Sequence, residues 1–220
     1  MEIMKGKTTI EISSDEFSSI ISGYPRISVD MGCGDGKYPY EMARLDPNTF
    51  YIGIEADRNG LTEYSRRISK KPEKGGATNV IFLIANIENL PEDLHRIADE
   101  VTVILPWGSL LRGLVNSDPK YLEGIRFVGK EGSKVRIYLN YNVKYEPVEM
   151  ERQGLPELTE EYIQDVLGPA YSSHGIIFHS HRFMENEEAR SLPSTWARRL
   201  GFGRTRSTLY LEGTTGGDPT

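Results

Sequence analysis

The chain has 220 residues, 38% hydrophobic and 26% charged, with a formal net charge of −6. That length predicts one domain over residues 1–220 with a single sizeable core, and 22 Gly and 12 Pro without a strict period exclude collagen-like and low-complexity classes. No apolar run approaches the roughly 20 residues of a membrane helix, no signal-peptide core opens the chain, and the lone Cys33 excludes a disulfide framework, so the expected setting is the reducing cytoplasm with no membrane partner.

In chain order, residues 1–12 read as an N-terminal β-hairpin turning at Gly6. Ser13 to Glu16 supply cap residues and early acids, Phe17, Ile20 and Ile21 recur at helical spacing, and Gly23 stops the helix. A βα alternation follows, with strands at 26–31, 50–55, 79–85, 100–105 and 134–141 and helices at 38–45, 60–69, 90–97 and 119–128. Short apolar strands separated by helical crossovers predict a mostly parallel sheet covered on both faces. Residues 142–175 are acidic and broken by Gly154-Leu155-Pro156; they are expected to form a helical linker between strands five and six. Strands at 175–183 and 206–211 complete a seven-stranded α/β sheet whose last strand is antiparallel, and residues 213–220 are expected to be a disordered tail.

The segment Asp30-Met31-Gly32-Cys33-Gly34-Asp35-Gly36 ends the first of these strands and opens a helix. Glycines there let backbone approach a ligand closely. Glu55 ends the next strand, 21 residues after Gly34, where a carboxylate can accept from both ribose hydroxyls of a nucleoside cofactor. A nicotinamide dinucleotide or S-adenosyl-L-methionine would suit such a turn. Asp30 inside the strand edge suits the cationic amino-acid end of the second, and Lys37-Tyr38-Pro39 leaves no small residue to seat a pyrophosphate. Glu88, after the third strand, can accept from an adenine amine or cap the helix near Pro91. Cys33 reads as a small filler in the turn.

The fourth strand ends in Leu105-Pro106-Trp107-Gly108-Ser109, which projects an indole where a cofactor's reactive group would lie. The only other tryptophan, Trp196, precedes the last strand. Facing indoles make a slot for an unstacked base; the bland alternative packs one or both into the core. Two basic segments carry net +4 each, residues 66–74 and 196–206, on an otherwise acidic chain. They read as a directed face for phosphates or as solvated patches. His179 and His181 share a strand face but lack the further ligands of a zinc site, so no metal is expected. Neither a P-loop nor a nucleophile elbow is present, and no asparagine-proline-proline-aromatic motif of amino-group methyltransferases occurs, which favours a ring nitrogen as target.

Together DMGCGDG, YIGIE, RRISKKPEKGG, LPWGSLL, the GLP linker and STWARRLGFGRTRS resemble, in this order, the aminoglycoside-resistance 16S rRNA methyltransferases that modify N1 of adenine 1408, the Kam/Npm group. The resemblance covers nearly the whole chain. It implies a class I (Rossmann-like) methyltransferase fold, S-adenosyl-L-methionine as cofactor, and 16S rRNA within the 30S subunit as partner of a monomeric enzyme. It implies cofactor contacts at Asp30, Gly32, Gly34, Glu55, Ile87, Glu88, Ile104, Leu105, Pro106, Ser109 and Thr195, and a base clamp of Trp107 and Trp196. It further implies rRNA docking by Arg66, Arg67, Lys70, Lys71, Lys74, Arg199, Arg204 and Arg206. A relative has Arg directly before Gly-Leu-Pro, where this chain has Gln153; the adjacent Arg152 is the candidate for that contact. Rival expectations are a tRNA guanine-N7 methyltransferase, a nicotinamide-dependent oxidoreductase and a non-catalytic RNA-binding module.

Overall fold

The computed structural model describes residues 1–141, 147–199 and 207–216. Its strands are β1 (Glu2–Lys5), β2 (Thr8–Glu11), β3 (Arg26–Met31), β4 (Thr49–Glu55), β5 (Val80–Ile84), β6 (Ala98–Ile104), β7 (Gly129–Leu139), β8 (Ile176–Met184) and β9 (Thr208–Thr215). The helices are α1 (Ser14–Ile21), α2 (Lys37–Leu45), α3 (Thr62–Ile68), α4 (Gly108–Val115), α5 (Pro119–Val128), α6 (Pro147–Gln153), α7 (Glu160–Tyr162), α8 (Gly168–Ser173), α9 (Asn186–Ser191) and α10 (Thr195–Arg199). All the strands join one sheet in the order β2-β1-β5-β4-β3-β6-β7-β9-β8. The five strands from β5 to β7 are parallel, and β9 runs antiparallel to both β7 and β8.

The central strands have no solvated face. Val29, Met31, Ile52, Ile54, Val101, Val103 and Ile137 are fully buried, as expected of strands covered by helices on both sides. Chain order runs outward from β3 to β4 and β5, then returns to β6 on the other side of β3. That reversal opens a crevice at the carboxyl ends of β3 and β6, the place where open α/β sheets bind ligands. Among the described residues, no helix is long and apolar enough to cross a membrane.

Several expectations need correction. The sheet has nine strands rather than seven, because the N-terminal hairpin pairs with β5 through Ile3 opposite Leu83 instead of standing apart. The helix expected at 90–97 is a single 3-10 turn, Glu92–Leu94. Arg96 takes a left-handed φ of 53° and its N–H reaches the Phe127 carbonyl, which ends the turn. The expected disordered tail is partly strand: Gly213 pairs with Val135 and Phe178, and β9 continues to Thr215. A Cβ at Gly213 would lie 2.2 Å from the Ile177 carbonyl oxygen, so the close crossing of β8 requires glycine there. Residues 217–220 lie outside the described residues. The linker is helical but interrupted: Gly154 at φ 63° ends α6, and a π-helical turn, Ile163–Leu167, precedes α8. Pro169 clashes with the carbonyl of residue 165 in a regular helix, which accounts for the widened turn before it.

Helices α4, α9 and α10 have no counterpart in the sequence reading. α4 holds Gly108 and Gly113 and has no side-chain cap at Trp107, so propensity and capping both conceal it. By contrast α1 carries a reciprocal capping box, with the Ser13 N–H donating to Glu16 at 2.8 Å and the Glu16 N–H to Ser13 Oγ at 3.2 Å.

Candidate active site

The crevice holds a cavity of about 230 Å³. Asp30, Gly32 and Gly34 line it from β3 and its turn, Glu55 from β4, and Ile87 and Glu88 from the loop after β5. The end of β6 contributes Ile104, Leu105, Pro106, Trp107 and Ser109, and Trp196 closes it from α10. Thr195 is not among the lining residues, but its hydroxyl donates to the Asp35 carboxylate, which is.

The glycine turn is shaped by contacts a sequence pattern only implies. Gly32, Gly34 and Gly36 have φ of 70°, 60° and 80°, the left-handed region. The Gly34 N–H donates to Glu55 Oε2 at 2.8 Å, and Glu55 Oε1 accepts from the Asp57 N–H at 3.1 Å. Glu55 therefore fixes the turn while each carboxylate oxygen keeps acceptor capacity for a ligand hydroxyl. No atom lies within 4 Å of where a Gly34 Cβ would stand, so backbone itself faces the cavity there.

Asp30 is 4% exposed and accepts from Thr102 Oγ1 at 2.7 Å. Burial, above all, pushes its pKa up to about 7; the Thr102 hydroxyl opposes the shift, Glu55 adds to it, and Arg136 opposes it again. A carboxylate held so far from water favours a cationic partner. Burial also drives the Cys33 thiol well above its ordinary range, with Asp30 adding to the effect. That agrees with a filler and not with a nucleophile.

At the other end the two indoles meet. Trp107 and Trp196 have ring centroids 5.4 Å apart at an interplanar angle of 41°. They remain 40% and 42% exposed. Leu105 sits at φ 52°, a backbone state uncommon for a branched residue, where the chain turns out of β6 toward Trp107. A base stacked between two rings needs about 7 Å between them, two contact layers of 3.5 Å. The pair at 5.4 Å is thus closed on itself, and a base can enter only if the rings part.

The structure adds residues the sequence reading missed. Tyr38, Leu110, Tyr121 and Ser194 also line the cavity. The Tyr121 hydroxyl lies within hydrogen-bonding reach of both Ser109 and Glu88, and burial raises its pKa. Its ring occupies the space of an absent side chain: a Cβ on Gly113 would sit 2.1 Å from Tyr121 Cδ2. Only the glycine–tyrosine pairing across α4 and α5 could have signalled this, and no spacing rule reads it.

Of the expected docking residues, Arg66, Lys70, Lys71 and Lys74 are exposed on α3 and the loop beyond it. Arg67 is partly covered; it pairs with Glu63 at 2.7 Å and lies over the Tyr64 ring at 5.0 Å. Arg152 is exposed on α6. Arg204, Arg206 and the Arg199 side chain lie outside the described residues. His179 Nε2 meets Thr214 Oγ1 at 2.8 Å and His181 Nε2 meets Glu160 at 2.6 Å, on separate elements. Among the described residues no group of three or more His, Cys, Asp or Glu side chains could hold a metal ion.

A family model described as NpmA, 16S rRNA (adenine(1408)-N(1))-methyltransferase, matches residues 2–215. A 16S rRNA (adenine(1408)-N(1))-methyltransferase from Escherichia coli is 36% identical over 214 residues, covering 97% of this chain and 98% of the relative. One of the same name from Streptoalloteichus tenebrarius is 36% identical over 215 residues, covering 97% and 99%. The crystal structure of the 16S rRNA methyltransferase KamB superposes with a TM-score of 0.90 at 35% identity, covering 99% of this chain and 100% of that one. A tryptophan-to-alanine mutant of the Catenulisporales acidiphilia enzyme, solved with the cosubstrate SAM, gives a TM-score of 0.90 at 32% identity over 100% and 99% of the two chains.

Proposed function

The chain belongs to the 16S rRNA (adenine(1408)-N(1))-methyltransferase family, and from that membership we propose that it transfers a methyl group from S-adenosyl-L-methionine to N1 of adenine 1408 in 16S rRNA. The assembled 30S subunit is its substrate, and aminoglycoside resistance the consequence. The protein works as a monomeric, single-domain enzyme in the cytoplasm. The named relatives favour this reading over a tRNA guanine-N7 methyltransferase or a nicotinamide-dependent oxidoreductase.

The carrying observation is the meeting of Trp107 and Trp196, 89 residues apart, at 5.4 Å over the mouth of the crevice. The residues present also fit the cofactor. Gly34 offers bare backbone, Glu55 keeps acceptor capacity for ribose hydroxyls, Asp30 offers a buried carboxylate to an ammonium, and Glu88 an acceptor for an adenine amine. Gly32, Ile87, Ile104, Leu105, Pro106 and Ser109 supply the walls, and Thr195 steadies the turn through Asp35. When bound, S-adenosyl-L-methionine supplies an electrophilic methyl group.

No general base is required of the protein, because adenine N1 already presents a lone pair in the ring plane. The protein's work is alignment and charge. Fixing donor and acceptor in one orientation recovers a large part of the entropic barrier. The base becomes cationic as N1 is alkylated. Indole faces favour that cation over the neutral ring by roughly 0.5–2 kcal/mol, and the preference grows toward the transition state. Arg66, Arg67, Lys70, Lys71, Lys74 and Arg152, with Arg199, Arg204 and Arg206, hold the folded RNA by its phosphates.

The test is incubation of purified 30S subunits with the enzyme and tritium-labelled cofactor, followed by primer extension. A stop at adenine 1408 is expected. Label at another nucleotide, or none, defeats the proposal.

A further inference from the structure

The basic segment of residues 66–74 lies on α3 and the loop beyond it, and Glu73 is its one acid. Lys70, Lys71 and Lys74 are exposed, in a stretch that also holds Pro72, Gly75 and Gly76. Surface loops of that composition are ordinarily mobile. This one is closed by five backbone bonds. The Lys70 N–H donates to the Arg67 carbonyl at 3.1 Å, and those of Lys74 and Gly76 both donate to Lys71, at 2.8 and 3.0 Å. The Gly75 N–H donates to Pro72 at 3.0 Å and the Ala77 N–H to Ile68 at 3.3 Å. The path is tight as well as closed: a Cβ on Gly76 would sit 1.7 Å from the Lys70 carbonyl oxygen.

Two buried hydroxyls fasten this segment to the rest of the molecule. Tyr40 on α2 is 3% exposed, stands with its ring centroid 5.2 Å from that of Tyr64, and donates its hydroxyl to the Gly75 carbonyl at 2.8 Å. Ser65 on α3 is fully buried; its hydroxyl accepts from the Gly6 N–H at 2.7 Å and donates to the Met4 carbonyl at 3.1 Å. Ser65 thus holds the near end of the segment against the N-terminal hairpin, and Tyr40 holds the far end against α2. We propose that Tyr40 and Ser65 are positioning residues that set the basic segment in the geometry in which it meets RNA phosphates, an inference that rests on the RNA reading above. Arg66 and Arg67 follow Ser65 directly and Lys74 precedes Gly75 directly, so each hydroxyl fixes the backbone beside a cation. Cations already set at fixed spacing lose less freedom when phosphates arrive. The hairpin's place at the sheet edge gains a role by the same route, as the wall against which α3 is set.

The test uses 30S subunits and the full-length protein. Tyr40→Phe keeps the ring beside Tyr64 and loses only the bond to Gly75. Amide hydrogen exchange at Lys74, Gly75 and Gly76 should quicken, and affinity for 30S subunits should fall about three- to tenfold, the range for one hydrogen bond. The slope of log affinity against log salt should not change, because every charge remains; Lys71→Met, by contrast, should lower it by about 0.7–0.9. In steady-state methyl transfer the KM for subunits should rise while kcat and cofactor affinity hold, a split that mere loss of stability does not produce. If Tyr40→Phe does not fold, Pro72→Gly, an exposed change that loosens the same loop, must show the same split with about a two- to fivefold loss. Quickened exchange with unchanged affinity for subunits overturns the proposal, and so does exchange that does not quicken. Loss of kcat or cofactor affinity with subunit affinity intact also overturns it, and assigns Tyr40 to the crevice. Lys71→Met without effect, in an enzyme that methylates adenine 1408, removes the docking role and the bracing with it but leaves the reaction standing. A wild-type enzyme that leaves adenine 1408 unmodified takes the functional reading and the bracing down together.

Discussion

At the β3–β4 end of the cavity, each functional group is held by a second bond: Asp30 by Thr102, the Gly34 N–H by Glu55, and Glu55 in turn by Asp57. At the indole end, Trp107 and Trp196 are 40% and 42% exposed, carried on a turn and a five-residue helix, and closed against each other. On the proposed reading, the first end is organised before any ligand arrives and the second must rearrange to admit one. Binding that needs no reorganisation is easily lost by touching one polar group, whereas a site that opens is governed by shape and stacking. The two ends should therefore answer mutation differently.

The largest effect is expected at the organised end. Asp30→Ala should weaken cofactor binding by on the order of several hundredfold, the usual result of deleting one partner of a buried charge pair. The same group gives a pH signature. Its pKa of about 7 leaves it neutral in the free enzyme below that pH, so cofactor affinity should rise as pH increases from 6 to 8. Asp30→Asn should abolish the rise in isothermal titration. Stability runs the other way. A folded-state pKa raised above the unfolded one contributes stability that is full below the unfolded value and lost as pH rises through about 7. Free Asp30→Asn should thus gain melting temperature relative to wild type at pH 8, and a parallel pH profile for the two proteins would contradict the burial argument.

Next comes the stacking end. Trp107→Ala should cut methyl transfer to 30S subunits about fiftyfold, with cofactor affinity nearly unchanged, from a stacking contribution of 1–3 kcal/mol. Trp107→Phe should keep a substantial part of the rate, and equal rates for the two variants would end the clamp. Thr195→Ala frees α10 from Asp35 and should cost about tenfold in kcat, the scale of a hydrogen bond to a charged group. A change confined to cofactor KM would place Thr195 with the organised end instead. The smallest effect is expected of Tyr121→Phe, which keeps the ring against Gly113 and loses only the hydroxyl between Ser109 and Glu88. About a fivefold rise in cofactor KM with kcat retained is expected; no change would make the hydroxyl a bystander.

The same contrast explains what could be read from the chain. Asp30, the glycine turn and Glu55 are legible because a strand, a tight turn and a second strand place them by local rules. Both tryptophans stand out because they are the only two and both fall outside strands. What escaped depends on contacts between distant elements. Tyr121 matters because Gly113 leaves it room, and Gly213 because β8 crosses close to it. The hairpin's place in the sheet rests on Ile3 opposite Leu83, a pairing no periodicity encodes. α4 hid because its start has neither a polar cap nor strong helix formers.

The closed indole pair bears on fidelity toward the abundant small metabolites that carry adenine. A free mononucleotide would have to separate two rings whose mutual contact is worth about 0.5–1.5 kcal/mol, with little else to gain. A ribosomal strand brings many simultaneous anchor points and can force the gap open. On the proposed reading, the touching rings set a small threshold that a lone nucleotide meets unaided and an rRNA strand held by its phosphates does not.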